Sequence, residues 1–223
     1  MKVGLIYTST TPELIELVEQ EVKKQLGSDV ELFSLQDPSI LADVRAAGTV
    51  TTAPAARLIG MYMQAAQEGV DAMLNLCSSV GEVADCAQNV AKFIGVPIVR
   101  VDEEMCREAV RLGKRIGVMA TLSSTLEPTK GTVKRVAREM GKQVELVDCL
   151  IDGAFGLDQE QFKQRLTEAA KTIVNDVDVF VLAQGSMAYA EDHLRSVFGK
   201  PFLGSPRFGA VELKKALQAK GSI

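Results

Sequence analysis

What most constrains the fold of this chain is that its sequence runs through the same pattern twice. The run Val70-Asp71-Ala72-Met73-Leu74-Asn75-Leu76-Cys77 lies over Val177-Asp178-Val179-Phe180-Val181-Leu182-Ala183-Gln184 without a gap, at a constant offset of 107 residues. That offset also pairs Ser79 with Ser186 and Asp85 with Asp192. Downstream, Gly95-Val96-Pro97-Ile98-Val99 matches Gly199-Lys200-Pro201-Phe202-Leu203, and upstream Gly4-Leu5-Ile6-Tyr7-Thr8 matches Gly117-Val118-Met119-Ala120-Thr121. One such match could be chance, but three in the same order point to duplicated halves.

Within each half, short apolar runs alternate with longer amphipathic segments, the βαβ pattern of a parallel sheet. Strands are expected at about 2–7, 30–34, 72–76, 97–100, 115–120, 144–149, 178–183 and 201–203. A first helix starts at Pro12 after Thr11, repeats Leu14, Val18, Val22 and Leu26 every fourth residue, and stops at Gly27. Asp158 with Gln161 forms a capping signal for another helix, whose buried face carries Phe162, Leu166, Ala169 and Ile173. The expected fold is therefore α/β, two pseudo-symmetric doubly wound parallel-sheet domains facing a central cleft. The repeat makes the last segment complete the first half. One domain is then 1–101 plus 206–223, carrying Cys77, and the other is 102–205, carrying Gln184.

Composition removes several classes of function. The 223 residues have a formal charge of -4, which disfavours a nucleic-acid partner. No apolar run approaches the roughly 20 residues of a membrane span, and the first residues read as a buried strand rather than a signal peptide. Four cysteines without C-x-x-C spacing and a single histidine, His193, suggest a reduced, cytoplasmic protein with neither metal nor cofactor.

Parallel sheets present ligands at the carboxyl ends of their strands. The loops expected there are Thr8-Ser9-Thr10-Thr11 and Thr121-Leu122-Ser123-Ser124-Thr125 after the first strands, and Cys77-Ser78-Ser79 and Gln184-Gly185-Ser186 after the middle ones. They are rich in hydroxyls and poor in bases, and a helix is expected after each. Such hydroxyls and backbone N–H groups suit a small carboxylate. The plainer role for any single Ser or Thr here is an N-cap. Cys86, Cys106 and Cys149 fall inside apolar or helical segments and read as small buried hydrophobes. Cys77 differs, because it falls where a strand ends and a helix is about to begin, a position that lowers a thiol pKa.

The duplicated halves, the strand–Cys77-Ser78-Ser79 loop, Ala120-Thr121-x-x-Ser124 and Ser205-Pro206-Arg207-x-Gly209 together resemble the aspartate/glutamate racemase superfamily. That superfamily includes hydantoin racemases, maleate isomerases and arylmalonate decarboxylases. The resemblance implies an isomerase or lyase acting on a small carboxylate, without cofactor or metal, and is compatible with a homodimer. In its racemases two cysteines face the substrate α-carbon from opposite sides. The first maps onto Cys77 and the second onto Gln184, which has no proton-transfer pKa near neutrality. The resemblance then leaves three routes. Cys77 could act as a one-base catalyst, or it could add to substrate as a nucleophile. Alternatively Ser186, Tyr189, Glu191 or His193 could replace the second cysteine. The expected binding residues are Ser9, Thr10, Ser78, Ser79, Thr121, Ser124, Gln184, Gly185 and Ser186, with Glu82 and Tyr189 at the rim. The rival expectation is a binding protein of degenerate racemase fold that senses a carboxylate without turning it over.

Overall fold

The structure, a computed structural model, describes residues 1–154 and 156–223. The strands are β1 (Lys2–Tyr7), β2 (Glu31–Gln36), β3 (Ala72–Asn75), β4 (Ile98–Arg100), β5 (Arg115–Ala120), β6 (Glu145–Leu150), β7 (Val179–Leu182) and β8 (Phe202–Gly204). The helices of the first half are α1 (Pro12–Leu26), α2 (Pro38–Ala47), α3 (Thr52–Gln67), α4 (Gly81–Cys86) and α5 (Gln88–Ile94). They are followed by α6 (Glu103–Leu112), α7 (Ser123–Glu139), α8 (Gln159–Ile173), α9 (Glu191–Phe198) and α10 (Ser205–Lys220). Each of the eight expected strands is present, with boundaries shifted by at most two residues. The chain divides into two compact units, Met1–Val101 with Pro206–Ile223, and Asp102–Ser205.

In the first unit the strands run parallel in the order β2-β1-β3-β4. Successive side chains of β1 point to opposite faces, so Val3, Leu5 and Tyr7 enter one core and Ile6 the other. On the first face they meet Leu14, Val18 and Val22 of α1 together with Leu213 and Leu217 of α10. On the second, Ile6 meets Ile40 of α2, Leu58 and Tyr62 of α3, and Val83 and Ala84 of α4. Each fully buried Leu or Val contributes about 1.5–3 kcal/mol, which explains why the chain returns after β8 to finish the first core with α10. Gly209 makes that return close: a Cβ there would stand 2.9 Å from Val101 Cα.

The second unit repeats the order as β6-β5-β7-β8, again parallel. Here Phe162, Leu166 and Ala170 of α8 pack with Phe180, Leu182 and Phe202, and the rings of Phe180 and Phe202 stack at 4.2 Å. Asp158 caps α8 as its sequence implies, accepting from the N–H groups of Glu160 and Gln161.

The repeated residues turn out to do the same mechanical work in each unit. Asp71 Oδ2 accepts from Lys2 N at 2.9 Å, and Asp178 Oδ2 accepts from Lys114 N and Arg115 N at 3.0 and 2.8 Å. Both aspartates tie the start of the first strand to the start of the middle one. Gly4 and Gly117 leave room on the first strand for the middle strand's side chain, Met73 in one unit and Phe180 in the other.

Candidate functional site

In the first unit β1 and β3 are adjacent and in register, Ile6 opposite Asn75, and Leu76 N donates to Ile6 O at 3.0 Å. Continuing that register two residues beyond the sheet places Thr8 beside Cys77. Thr8 is fully buried, and its hydroxyl bonds no other oxygen or nitrogen, which leaves it to the Cys77 sulfur. The backbone N–H groups of Ser79 and Val80 and the Ser79 hydroxyl also face that sulfur.

Cys77 keeps some contact with solvent. Even so, burial among protein atoms is the largest influence on its thiol and pushes the pKa up, while the Thr8, Ser79 and Val80 donors oppose the rise without cancelling it. This corrects the expectation of a lowered pKa. Cys77 is followed by a three-residue 3-10 turn, Ser78–Val80, and then by the six-residue α4, so the helix expected to begin directly after it is replaced by a tight turn. Four local donors serve in its place.

Beneath the cysteine lies a buried polar chain. The Tyr62 hydroxyl donates to Asn75 Oδ1 at 3.0 Å, and Asn75 Nδ2 donates to the Cys77 carbonyl at 3.1 Å. Burial first, then the neighbouring Cys77, push the Tyr62 phenol far above its ordinary value, so it stays a neutral donor. The Ser78 hydroxyl is buried with no partner.

The second unit builds the same corner with different chemistry. Met119 is opposite Leu182, so Thr121 stands to Gln184 as Thr8 stands to Cys77. Gln184 Nε2 donates to Thr121 Oγ1 at 2.6 Å, and its Oε1 accepts from Thr121 N at 3.1 Å. The carboxamide is thus locked onto one residue at both ends. The Ser124 and Ser205 hydroxyls are buried without partners. Gly185 and Ser186 lie half-buried in a 3-10 turn, Gly185–Ala190.

The candidates for a replacement base are scattered. His193 is exposed on α9 and meets Thr167 Oγ1 at 3.2 Å. Tyr189 packs on Phe162 and donates to the Gln159 carbonyl. Glu191 is buried and accepts from Gly204 N at 2.8 Å.

None of the seven hydroxyls Ser9, Thr10, Ser78, Ser79, Thr121, Ser124 and Ser186 serves as an N-cap in helices α1 to α9 or the two 3-10 turns; Thr11 caps α1. Ser9 and Thr10 are half-buried, and the Thr10 hydroxyl donates to the Thr11 carbonyl. Glu82 is exposed on α4. Cys106 and Cys149 are buried as expected, and burial pushes the Cys149 thiol up to about 11. Cys86 is exposed rather than buried, because α4 ends there with its outer face uncovered. Among the described residues no cluster of His, Cys, Asp and Glu could hold a metal ion, and no helix is long and apolar enough to cross a membrane.

Sequence reasoning missed Thr8, Tyr62 and Asn75. The signal for Thr8 was available, since the repeat aligns it with Thr121. Tyr62 and Asn75 carried none, because a buried hydroxyl–amide chain is indistinguishable from core until α3 is docked on β3.

The model of the Asp/Glu/Hydantoin racemase family matches residues 3–213. No curated protein matches the chain in sequence. Among solved structures, an allantoin racemase from Klebsiella pneumoniae is similar with a TM-score of 0.71 at 17% identity, covering 99% of this chain and 89% of the other. A glutamate racemase isoform from Bacillus anthracis follows at 0.70 and 17%, covering 98% and 82%. The aspartate racemase of Picrophilus torridus gives 0.67 at 12%, covering 99% and 94%. At these identities the likeness shows the fold.

Proposed function

The chain belongs to the Asp/Glu/Hydantoin racemase family, and from that premise we propose a cytoplasmic isomerase or lyase that acts on a small carboxylate through cofactor-independent proton transfer at Cys77. The observation that carries this reading is the set of donors around the Cys77 sulfur: the Thr8 hydroxyl, the Ser79 hydroxyl, and the N–H groups of Ser79 and Val80.

The raised thiol pKa favours one direction of use. At neutral pH Cys77 rests as the thiol, so its natural step is to give its proton to a carbanion or enediolate. The S–H bond breaks, a C–H bond forms at the substrate α-carbon, and the four donors catch the thiolate left behind. The reverse step, removal of the α-proton, uses that same thiolate. Ser78, with the half-buried Ser9 and Thr10, supplies the proposed carboxylate donors beside Cys77; the Ser78 hydroxyl is buried and unpartnered. Because the Gln184 amide carries no transferable proton near neutrality and is bonded to Thr121, proton transfer falls to Cys77 alone.

The test is incubation of the protein with amino, hydroxy and malonate-type acids in D2O, followed by NMR. Deuterium uptake with retention, or loss of CO2 with stereospecific protonation, is expected for the active substrate and is expected to vanish in Cys77→Ser. Turnover unchanged in Cys77→Ser would overturn the reading. A second reading, a carboxylate-binding protein without turnover, is favoured by the same raised thiol and by the locked Gln184. It predicts ligand binding by calorimetry with no exchange for any acid.

A further inference from the structure

A charged pair lies behind the Cys77 turn that the proposed reaction does not use. Arg100 is the last residue of β4, opposite Asn75 in the β3–β4 register. Its side chain is 4% exposed, and Nη1 is held by Asp85 Oδ2 of α4 at 2.6 Å. A buried guanidinium is costly to desolvate even when paired, so its place in the fold calls for a reason.

That place is against Gly81. A Cβ built on Gly81 would collide with the guanidinium, 2.5 Å from Cζ and 2.7 Å from Nε, with Nη2 closer still. Contact with three atoms of one plane means that the guanidinium lies face-on to the Gly81 backbone. Gly81 closes the 3-10 turn, its N–H donating to the Ser78 carbonyl. The turn is therefore held at both ends: Asn75 Nδ2 grips the Cys77 carbonyl, and Arg100 presses on Gly81. The Ser79 and Val80 amides that face the sulfur lie between those two points.

The second unit offers an internal comparison. There Gly204 stands where Arg100 stands, since the match of Ile98 with Phe202 carries Arg100 onto Gly204. The link from the preceding helix persists as Glu191 Oε2 of α9 accepting from Gly204 N. The strand is stapled to the helix in both units, but only the unit with the cysteine uses a guanidinium to do it.

The geometry points to Arg100 as a positioning residue for Cys77: fixed by Asp85, it clamps Gly81 and so holds the Ser79 and Val80 amides on the sulfur. The inference rests on Cys77 being the reacting group, but its test reads thiol chemistry directly and needs no substrate. A failure here is therefore distinct from a failure of Cys77→Ser to abolish turnover.

The experiment is the pH dependence of iodoacetamide alkylation of the full-length protein, resolved cysteine by cysteine by mass spectrometry, with exposed Cys86 as internal reference. Loss of amide donors destabilises the thiolate, so Arg100→Met is expected to move the Cys77 midpoint up by about one pH unit, roughly tenfold slower alkylation at pH 8. Gly81→Ala keeps both charges but drives its Cβ into the guanidinium, and it is expected to shift the midpoint in the same direction. The double variant is expected to be no worse than either single one, because both break one contact. Arg100→Lys keeps the charge without the planar face and is expected to show a smaller rise; it carries the test if Arg100→Met does not fold. Cys86 should be unchanged throughout. A Cys77 midpoint that stays put while the unfolding midpoint falls would reduce Arg100 to a structural brace and overturn the proposal, as would additive shifts in the double variant.

Discussion

Replacing Gln184 with Ala tests whether the carboxamide is a tether within its own unit. The substitution removes two hydrogen bonds, Nε2 to Thr121 Oγ1 at 2.6 Å and Thr121 N to Oε1 at 3.1 Å. Each is worth about 1 kcal/mol net, and the Thr121 N–H left without its partner in a 5% exposed residue costs about 1 kcal/mol more. The expected loss is about 2–3 kcal/mol. For a unit the size of Asp102–Ser205, with a urea slope of about 2 kcal/mol per M, the unfolding midpoint should fall by about 1–1.5 M. Thr121→Val removes only the hydroxyl and should cost about 1 kcal/mol. Combining the two should give less than the sum of the singles, since they share a bond. A cost for Gln184→Ala below about 0.5 kcal/mol, or full additivity with Thr121→Val, would show that the amide is not committed to Thr121. It would then be free for ligand.

Two further outcomes can be checked by unfolding. A Cβ on Gly117 would stand 2.9 Å from Phe180 Cδ1, in a ring stacked on Phe202, whereas one on Gly4 would meet the flexible Met73 Cγ at 3.4 Å. Gly117→Ala should therefore cost about 2 kcal/mol and Gly4→Ala well under 1 kcal/mol, and urea midpoints that reverse the order would refute the packing argument. Burial raises the Cys149 thiol to about 11 in the folded chain, so the stability this group contributes is complete below its unfolded value near 8.5–9 and is lost as pH rises from there through 11. Cys149→Val should lack that component, flattening the fall in stability between pH 8 and 11 by up to about 2–3 kcal/mol; parallel curves for the two proteins would show that the thiol does not titrate as a buried group.

The sheets were legible because their signal is local. A buried parallel strand is an uninterrupted apolar run, and the repeat allowed each strand to be checked against its twin. Helix α1 was equally plain, with Thr11, Pro12 and Gly27 marking its ends. The segments after β3 and β7 were not legible in that way. Ser78–Val80 and Gly185–Ala190 look like helix starts by composition, yet both form 3-10 turns, and burial of the Cys77 thiol, which the sequence does not display, reversed the expected direction of its pKa. Arg100 was invisible as a site residue because only the β3–β4 register and the docking of α4 bring it to Gly81. In general the sequence announces residues whose role depends on neighbours along the chain, and it hides those whose role depends on neighbours across the sheet.

The asymmetry between Cys77 and Gln184 can now be stated in terms of a single shared corner. Both units follow their first strand with a buried threonine and their middle strand, two residues on, with a residue that the register sets beside it: Thr8 with Cys77, Thr121 with Gln184. A cysteine is too short to reach back to the threonine's backbone, so in the first unit the hydroxyl and the following amides are left to face a sulfur. A glutamine is long enough to satisfy the threonine's N–H and hydroxyl together, and it closes the corner on itself. The exchange therefore does more than delete an ionisable group. It turns a corner whose donors face a sulfur into one whose donors and acceptors are already spent on each other. By that argument the Cys77 corner, with Arg100 beneath its turn, is where proton chemistry in this chain should be sought.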